Sequence, residues 1–151
     1  MKLKVAVLLS CFALLLGCSP KTPALNDSLS LHQLMEWIID PNADVIWDSV
    51  KSISTVKGTT EIYPRTDEQW DAVRNSAAIL LEAGNILMIE GRAKDNKQWL
   101  EYAKQLSSAS EVTLKAAQDK NKDALFDAGG NIYNACKACH DKYADFDKKA
   151  P

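Results

Sequence analysis

Hydrophobic positions along most of the chain recur at steps of three and four residues, the spacing of one helix face. The first of four such stripes is interrupted at Asp40-Pro41, where Asp40 is placed to cap a new segment and Pro41 suits its first position. We therefore predict one broken first helix. Its stripe consists of Leu31, Leu34, Met35, Ile38, Val45, Ile46, Ser49, Val50 and Ile53.

Turn and capping residues separate this stripe from the next one. A loop through Lys57-Gly58 and Tyr63-Pro64 follows the first helix, and a capping box at Thr66-Asp67-Glu68-Gln69 starts the second. No stretch alternates between polar and apolar residues over more than a few positions, so no strand is predicted.

Two further stripes complete the pattern. The third helix is predicted to start around residues 95–97 and the fourth to follow Asn121. Gly129-Gly130 inside the fourth helix indicates the close approach of a neighbouring helix. The connections are short enough for antiparallel neighbours, so the fold predicted is an all-α, up-down-up-down four-helix bundle.

The N-terminal residues have a different pattern. Met1 to Lys4 is a short basic start, and the apolar run from Val5 to Gly17 has the length of a signal-peptide core but is too short to span a bilayer. Leu15-Leu16-Gly17-Cys18 resembles the lipobox of bacterial lipoproteins, which implies cleavage before Cys18 and lipidation of its sulfur. Ordinary cleavage near Cys18, leaving a soluble periplasmic protein, is the alternative.

These features predict three regions: a signal peptide over 1–17, a proline-containing tether over 18–27 and a folded domain over 28–148. Both routes of cleavage place the protein in the periplasm. The 18 basic and 20 acidic residues give a net charge of −2, which offers no polyanion-binding signature and excludes nucleic acid as a partner class.

The cysteines carry the candidate chemistry. If Cys11 leaves with the signal peptide and Cys18 takes lipid, only Cys136 and Cys139 remain, with His140 directly after them. Two thiols one helical turn apart suit thioether bonds to the two vinyl groups of haem, and the following histidine suits the proximal iron ligand. Both cysteines fall on the apolar stripe of the fourth helix.

Two other interpretations of this cysteine pair are weaker. A thioredoxin-like redox pair needs a βαβ setting and a helix N-terminus, whereas this pair lies near the end of a helix. A structural zinc site needs four ligands, and His32 is the only histidine outside the motif.

A four-helix bundle whose only haem-attachment motif is C-terminal and followed by Tyr143 resembles the cytochrome c′ family, the class II c-type cytochromes. The resemblance covers residues 28–146, and its specific part is Ala135 to Tyr143. It implies one covalent haem c, His140 as the proximal iron ligand and a distal side that faces the first helix.

One element of the family pattern is missing. The family has an arginine near the haem on the first helix, but residues 29–39 contain none. Arg92 and Lys94, between the second and third helices, are alternatives for recognising the propionates, although solvation at the surface is favoured for each.

The sixth position of the iron has four candidate states. Low-spin members of the family use a first-helix methionine and gas-binding members have an apolar side chain there, so the resemblance favours Met35 as distal ligand. Met88, His32 and an open position are the alternatives for the sixth position. For either methionine, filling space in the hydrophobic core is the alternative to binding iron. Trp37, Trp47, Trp70 and Trp99 are predicted to be core or haem-pocket walls.

Together these observations predict a periplasmic c-type cytochrome that carries electrons and is not an enzyme. The alternative is a five-coordinate haem protein that binds nitric oxide or carbon monoxide. A lipid anchor on Cys18 would attach it to a membrane. The redox partner protein and the oligomeric state, with a homodimer among the options, are left open.

Overall fold

The computed structural model describes residues 26–144, which form four helices and a small two-stranded sheet. The predicted signal peptide over 1–17, lipidated Cys18 and residues 145–148 of the predicted domain lie outside the described residues, as does most of the tether. Over 26–144, no helix has the length and apolar character needed to cross a membrane. The elements are α1 over 31–49, β1 (Lys51–Thr55), β2 (Gly58–Ile62), α2 (Asp67–Leu87), α3 (Gln98–Gln118) and α4 (Lys122–Tyr143).

Helix α1 is continuous across the predicted break. It consists of an α-helical turn, Leu31–Leu34, a π-helical segment, Met35–Ile39, and a second α-helical part, Asp40–Ser49. The prediction that Asp40 caps a new segment is wrong, because Asp40 has helical dihedral angles and its N–H donates to the carbonyl of Met35. Pro41 lacks an N–H, and the wider π turn before it accommodates the bond missing from the helical ladder.

A β-hairpin replaces the end of the predicted first helix. Strand β1 pairs with β2 in antiparallel register from Lys51 opposite Ile62 to Thr55 opposite Gly58. Ile53, which was assigned to the helical stripe, lies on β1 and is 44% exposed. The predictions of helix here and of no strand anywhere are therefore wrong, because Gly58 takes a positive φ of 125° that closes a tight turn.

The remaining helices begin where the capping residues predicted. Thr66 and Gln69 form both bonds of a capping box at the start of α2, and the Asn121 side chain accepts two backbone N–H groups at the start of α4. Asp95 accepts from the N–H of Lys97 and of Trp99, both at 3.0 Å, just ahead of α3. These three predicted starts are confirmed to within a few residues.

The helices pack as antiparallel neighbours. Between α2 and α3, Ser107 Oγ donates to the carbonyl of Leu81 at 2.9 Å, and Trp99 Nε1 donates to that of Leu87 at 2.7 Å. Between α1 and α4, Trp47 Nε1 donates to the carbonyl of Gly129 at 3.0 Å. The mostly helical fold is compatible with the predicted bundle, with the hairpin as an addition.

The tryptophans divide between core and surface. Trp70 and Trp99 are buried, and Trp47 is half-buried against the core, as predicted. Trp37 is 56% exposed, so its assignment to the core or a pocket wall is wrong. It lies in the π-helical segment, whose extra residue changes the face on which each side chain emerges.

Of the glycines in residues 26–144, Gly84 lies at the tightest approach between helices, and the sequence analysis did not single it out. A Cβ on Gly84 would lie 2.0 Å from Ser107 Oγ and 2.7 Å from the carbonyl oxygen of Ala103. At Gly129 the nearest such contact is an ordinary 3.5 Å to Trp47, and at Gly130 there is none within 4 Å. The prediction of a close helix approach therefore fails for Gly130.

Candidate functional site

A narrow cleft lies where α1, α2, α3 and α4 meet, at the end of the molecule that carries the cysteine pair. The room that it leaves for water-sized molecules is about 30 Å³. The walls are mainly apolar, as in most cofactor pockets. They are formed by Met35, Ile39, Asp40, Leu87, Trp99, Tyr102, Ala103, Leu106, Ala135, Cys136, Cys139 and His140.

The two cysteines enter the cleft from the last turns of α4. Both are half-buried free thiols that pack against the core, in agreement with the predicted helical stripe. Burial raises the pKa of the Cys136 thiol to about 11, with the neighbouring Asp40 and Cys139 adding to the effect. Burial also raises the pKa of Cys139. Thiols held protonated in this way do not suit a thioredoxin-like redox pair, which depends on a stabilised thiolate.

The predicted axial residues lie on the same cleft. His140 follows Cys139 directly on α4, and Met35 reaches the cleft from the π-helical segment of α1. Both side chains are half-buried. An imidazole and a thioether are the donor pair of many electron-transfer haems.

The other two candidates for the sixth position lie elsewhere. Met88 forms the C-cap of α2 and packs against the core, but it is not among the residues that line the cleft. The His32 side chain is 77% exposed and lies 3.6 Å from the Glu36 carboxylate. Leu87, the residue before Met88, does line the cleft.

A hydrogen-bond network lies behind two residues that line the cleft, Trp99 and Tyr102. The Tyr143 hydroxyl donates to Asp95, whose carboxylate also accepts from the N–H of Trp99 at the start of α3. The Tyr143 ring packs edge-on against Trp99, with ring centroids 5.0 Å apart, and against Tyr102 at 6.1 Å. We call Trp99, Tyr102 and Tyr143 the aromatic cluster. It joins the beginning of α3 to the end of α4, next to Cys139.

One partner of the Asp95–Tyr143 hydrogen bond is charged and the other is neutral. The hydrogen bond from Tyr143, followed by those from the Trp99 and Lys97 N–H groups, lowers the pKa of Asp95 to about 2. Burial and the bond to Asp95 raise the pKa of Tyr143 to about 12. The pair is therefore a carboxylate that accepts from a neutral phenol throughout the neutral pH range.

The sequence analysis missed residues both of the cleft and of the network behind it. Tyr102 of the cleft and Asp95 of the network lie far from the motif in sequence, and only the packing of α3 on α4 brings them near it. Asp40 was assigned as a cap but lines the cleft near Cys136. The spacing of Asp40 could have indicated its place at the cleft. It lies five residues beyond Met35, close to one turn of a π-helix, so the two side chains share a side of α1.

The donor set and the apolar lining of the cleft suit a covalently attached haem, but its size does not. Cys136 and Cys139 offer two thiols on one face, and His140 and Met35 offer an imidazole and a thioether. With about 30 Å³ of open space, the walls would have to move apart to admit a macrocycle. Within residues 26–144, no three side chains of His, Cys, Asp or Glu cluster as ligands for a bare metal ion.

Comparison with known proteins adds no family to this picture. The chain matches no protein-family model, no curated protein and no solved structure. Function is therefore inferred from the motif and the cleft.

Proposed function

We propose that this protein is a periplasmic c-type cytochrome of the cytochrome c′ type that carries single electrons and is exported as a lipoprotein anchored through Cys18. One observation carries the proposal: Met35 of α1 lines the same cleft as Cys136, Cys139 and His140 of α4. From sequence, Met35 was favoured as the second donor only through the family resemblance, whereas the shared lining of the cleft supports it independently.

Each residue has a distinct task in this proposal. Cys136 and Cys139 would hold the cofactor through thioether bonds, and His140 of α4 and Met35 of α1 would be the ligands for its iron. Bound there, haem would supply one-electron exchange. The apolar walls would exclude water from it.

Electron transfer is preferred to gas binding because of the residue on the distal side. Gas binding needs an open sixth position, whereas a thioether within reach would occupy it and hold the iron low-spin. Of the three candidate side chains, only Met35 lines the cleft. A five-coordinate gas-binding protein is the outcome to be expected if Met35 does not reach the iron.

The test compares Met35→Ala with Met88→Ala, both produced in a host with c-type maturation machinery. We expect the parent to keep its haem through acid–acetone extraction, to be low-spin and to resist carbon monoxide. Met35→Ala alone should turn high-spin and bind carbon monoxide. Met88→Ala is the matched control, because it removes a half-buried methionine that does not line the cleft.

The outcomes separate the alternatives. A parent that loses its haem on extraction, or whose mass is that of the bare chain, would end the proposal. A parent already high-spin and open to carbon monoxide would move the protein to the gas-binding class. Because Met35 is half-buried, its truncation should cost less than the roughly 2–5 kcal/mol typical of a fully buried methionine. Loss of the fold is therefore not expected to obscure the result.

A further inference from the structure

Helix α1 presents a row of apolar side chains to solvent beside the cleft. Trp37 lies in the π-helical segment, two residues after Met35, and is 56% exposed. Pro41 and Val45 follow it at steps of four residues and are also exposed, so the three side chains lie along one side of the helix. Tryptophan is highly buried on average, and contiguous exposed apolar residues mark interaction sites.

The indole of Trp37 is not used within the fold. The indole N–H groups of Trp47 and Trp99 each donate to a backbone carbonyl of a neighbouring helix, at 3.0 and 2.7 Å. Trp37 makes no such bond and no contact with another aromatic ring among residues 26–144. Because π-helical segments are frequently found at functional sites, an outward tryptophan in one favours a role in binding over a role in folding.

A row of carboxylates runs beside these apolar side chains. Glu36, Asp40, Asp44 and Asp48 also follow one another at steps of four residues, and all four are exposed. Residues 31–49 contain no lysine or arginine, so this helix carries a net charge of −4 with His32 neutral, against −2 for the whole chain. Helix α1 is therefore more acidic than the chain as a whole.

Little of this charge is neutralised within the protein. Asp48 pairs with Lys51 at 2.9 Å, at the end of α1 away from the cleft, and Glu36 has only an exposed histidine beside it at 3.6 Å. Asp40 and Asp44 form no ion pair with a lysine or arginine in the described part of the chain. The name acidic face is used here for Glu36, Trp37, Asp40, Pro41, Asp44 and Val45.

We propose that the acidic face of α1 docks a basic electron-transfer protein, whose lysines surround the contact with Trp37. This inference rests on the proposed haem site and adds the class of its partner. Complementary charge selects such a partner and speeds its encounter, and a buried tryptophan supplies binding energy at the centre of an interface. The place suits electron exchange, because Asp40 also lines the cleft and one helix, about 10 Å thick, separates the outer side of α1 from it.

The probe is mitochondrial cytochrome c, a small redox protein with a lysine-rich surface. Its succinylated form, in which the lysine amines carry carboxylates, is the control probe. Each is titrated into the isotope-labelled, haem-loaded protein with both haems ferrous, and the shifts of its amide signals give the dissociation constant. We expect binding in about 10 mM salt, where the Debye length is about 30 Å, and a large loss in about 1 M salt, where that length is about 3 Å.

Two double variants locate the contribution of charge. Glu36→Gln/Asp44→Asn removes two charges from the acidic face without changing a residue that lines the cleft, and Glu111→Gln/Asp127→Asn removes two exposed charges from α3 and α4. In low salt, the first should weaken binding by about threefold or more relative to the second, since each lost carboxylate removes an exposed ion pair with the probe. In high salt the difference should disappear.

Two single variants test the apolar contact. Phe126 is the matched residue for Trp37, because it is 53% exposed but lies thirteen residues, about 20 Å of helix, before Cys139 on α4. Trp37→Ala should weaken binding by about tenfold or more, whereas Phe126→Ala should bind as the parent does. The second-order rate of electron transfer from the ferrous protein to ferric cytochrome c should fall in the same order among the variants.

Equal binding of native and succinylated cytochrome c, equal losses in the two double variants, or a Trp37→Ala variant that binds as tightly as the parent would each overturn the proposal. A Trp37 indole signal that shifts with protein concentration in the absence of probe would also overturn it, and would assign the face to a second copy of the chain. A parent without haem, recognised from its absorption spectrum, would refute the proposed function, while its titration would still test the face, because the binding readout does not use the iron.

Discussion

Substituting Gly84 by alanine tests the packing that holds α2 against α3 beside the cleft. The new methyl group would lie 2.0 Å from Ser107 Oγ and 2.7 Å from the carbonyl oxygen of Ala103. Ser107 can rotate away only by losing its 2.9 Å hydrogen bond to Leu81, worth about 1 kcal/mol. The carbonyl of Ala103 is backbone, so the helices themselves must separate, and overpacking of this kind costs about 1–3 kcal/mol.

Alanine also has a better helix propensity than glycine, by about 1 kcal/mol, which offsets part of the cost. We therefore expect Gly84→Ala to lose about 1–3 kcal/mol of unfolding free energy. For a domain of this size, about 4 °C per kcal/mol gives a fall in Tm of about 4–12 °C. Urea unfolding followed by circular dichroism measures the free energy, and a thermal scan measures Tm.

Gly130→Ala is the matched control, because no heavy atom lies within 4 Å of the added methyl group. It should gain up to about 1 kcal/mol from helix propensity alone. Adding Ser107→Ala to Gly84→Ala should recover part of the loss, since the clash with Ala103 remains. A Gly84→Ala variant as stable as the parent would refute the tight approach of α2 and α3.

Two further predictions concern acid stability and membrane attachment. Because the folded-state pKa of Asp95 is lowered to about 2, its ionised form stabilises the fold above the usual aspartate pKa of about 3.9, and this contribution disappears as the pH falls from about 4 towards 2. Asp95→Asn should therefore be less stable than the parent at pH 6 in urea unfolding and converge with it near pH 2, whereas the exposed Asp127→Asn should show no such convergence. Parent protein from a host that processes lipoproteins should partition into the detergent phase and Cys18→Ala into the aqueous phase; a Cys18→Ala variant that remains with detergent would exclude lipidation at Cys18.

The helices α2 and α4 could be predicted from sequence because local signals coincide in them. Thr66 and Asn121 cap their first turns, and each helix buries one continuous apolar stripe. The hairpin could not be predicted in the same way. All but one of the residues on its two strands are exposed, so neither strand has the alternation of buried and exposed positions that marks a half-buried strand.

Part of the candidate site could likewise be predicted from sequence and part could not. Cys136, Cys139 and His140 are contiguous, so their chemistry is visible as a motif. The partnership of Asp95 with Tyr143 depends on the packing of separate helices and leaves no local signal. The surface solvation favoured for Arg92 from sequence is wrong for its Nε and Nη1, which are hidden from solvent and have no hydrogen-bond partner among residues 26–144.

The π-helical segment Met35–Ile39 has a consequence for how this site could change over evolution. It accommodates one residue more than an α-helical turn of the same reach, so the extra residue is absorbed between Leu31–Leu34 and Asp40–Ser49. Deleting a single codon from it would restore regular α-helix and leave those two flanking parts on the faces that they now occupy. One deletion would thus change only the side chains inside the segment, Met35 among them, without any substitution in the rest of the cleft.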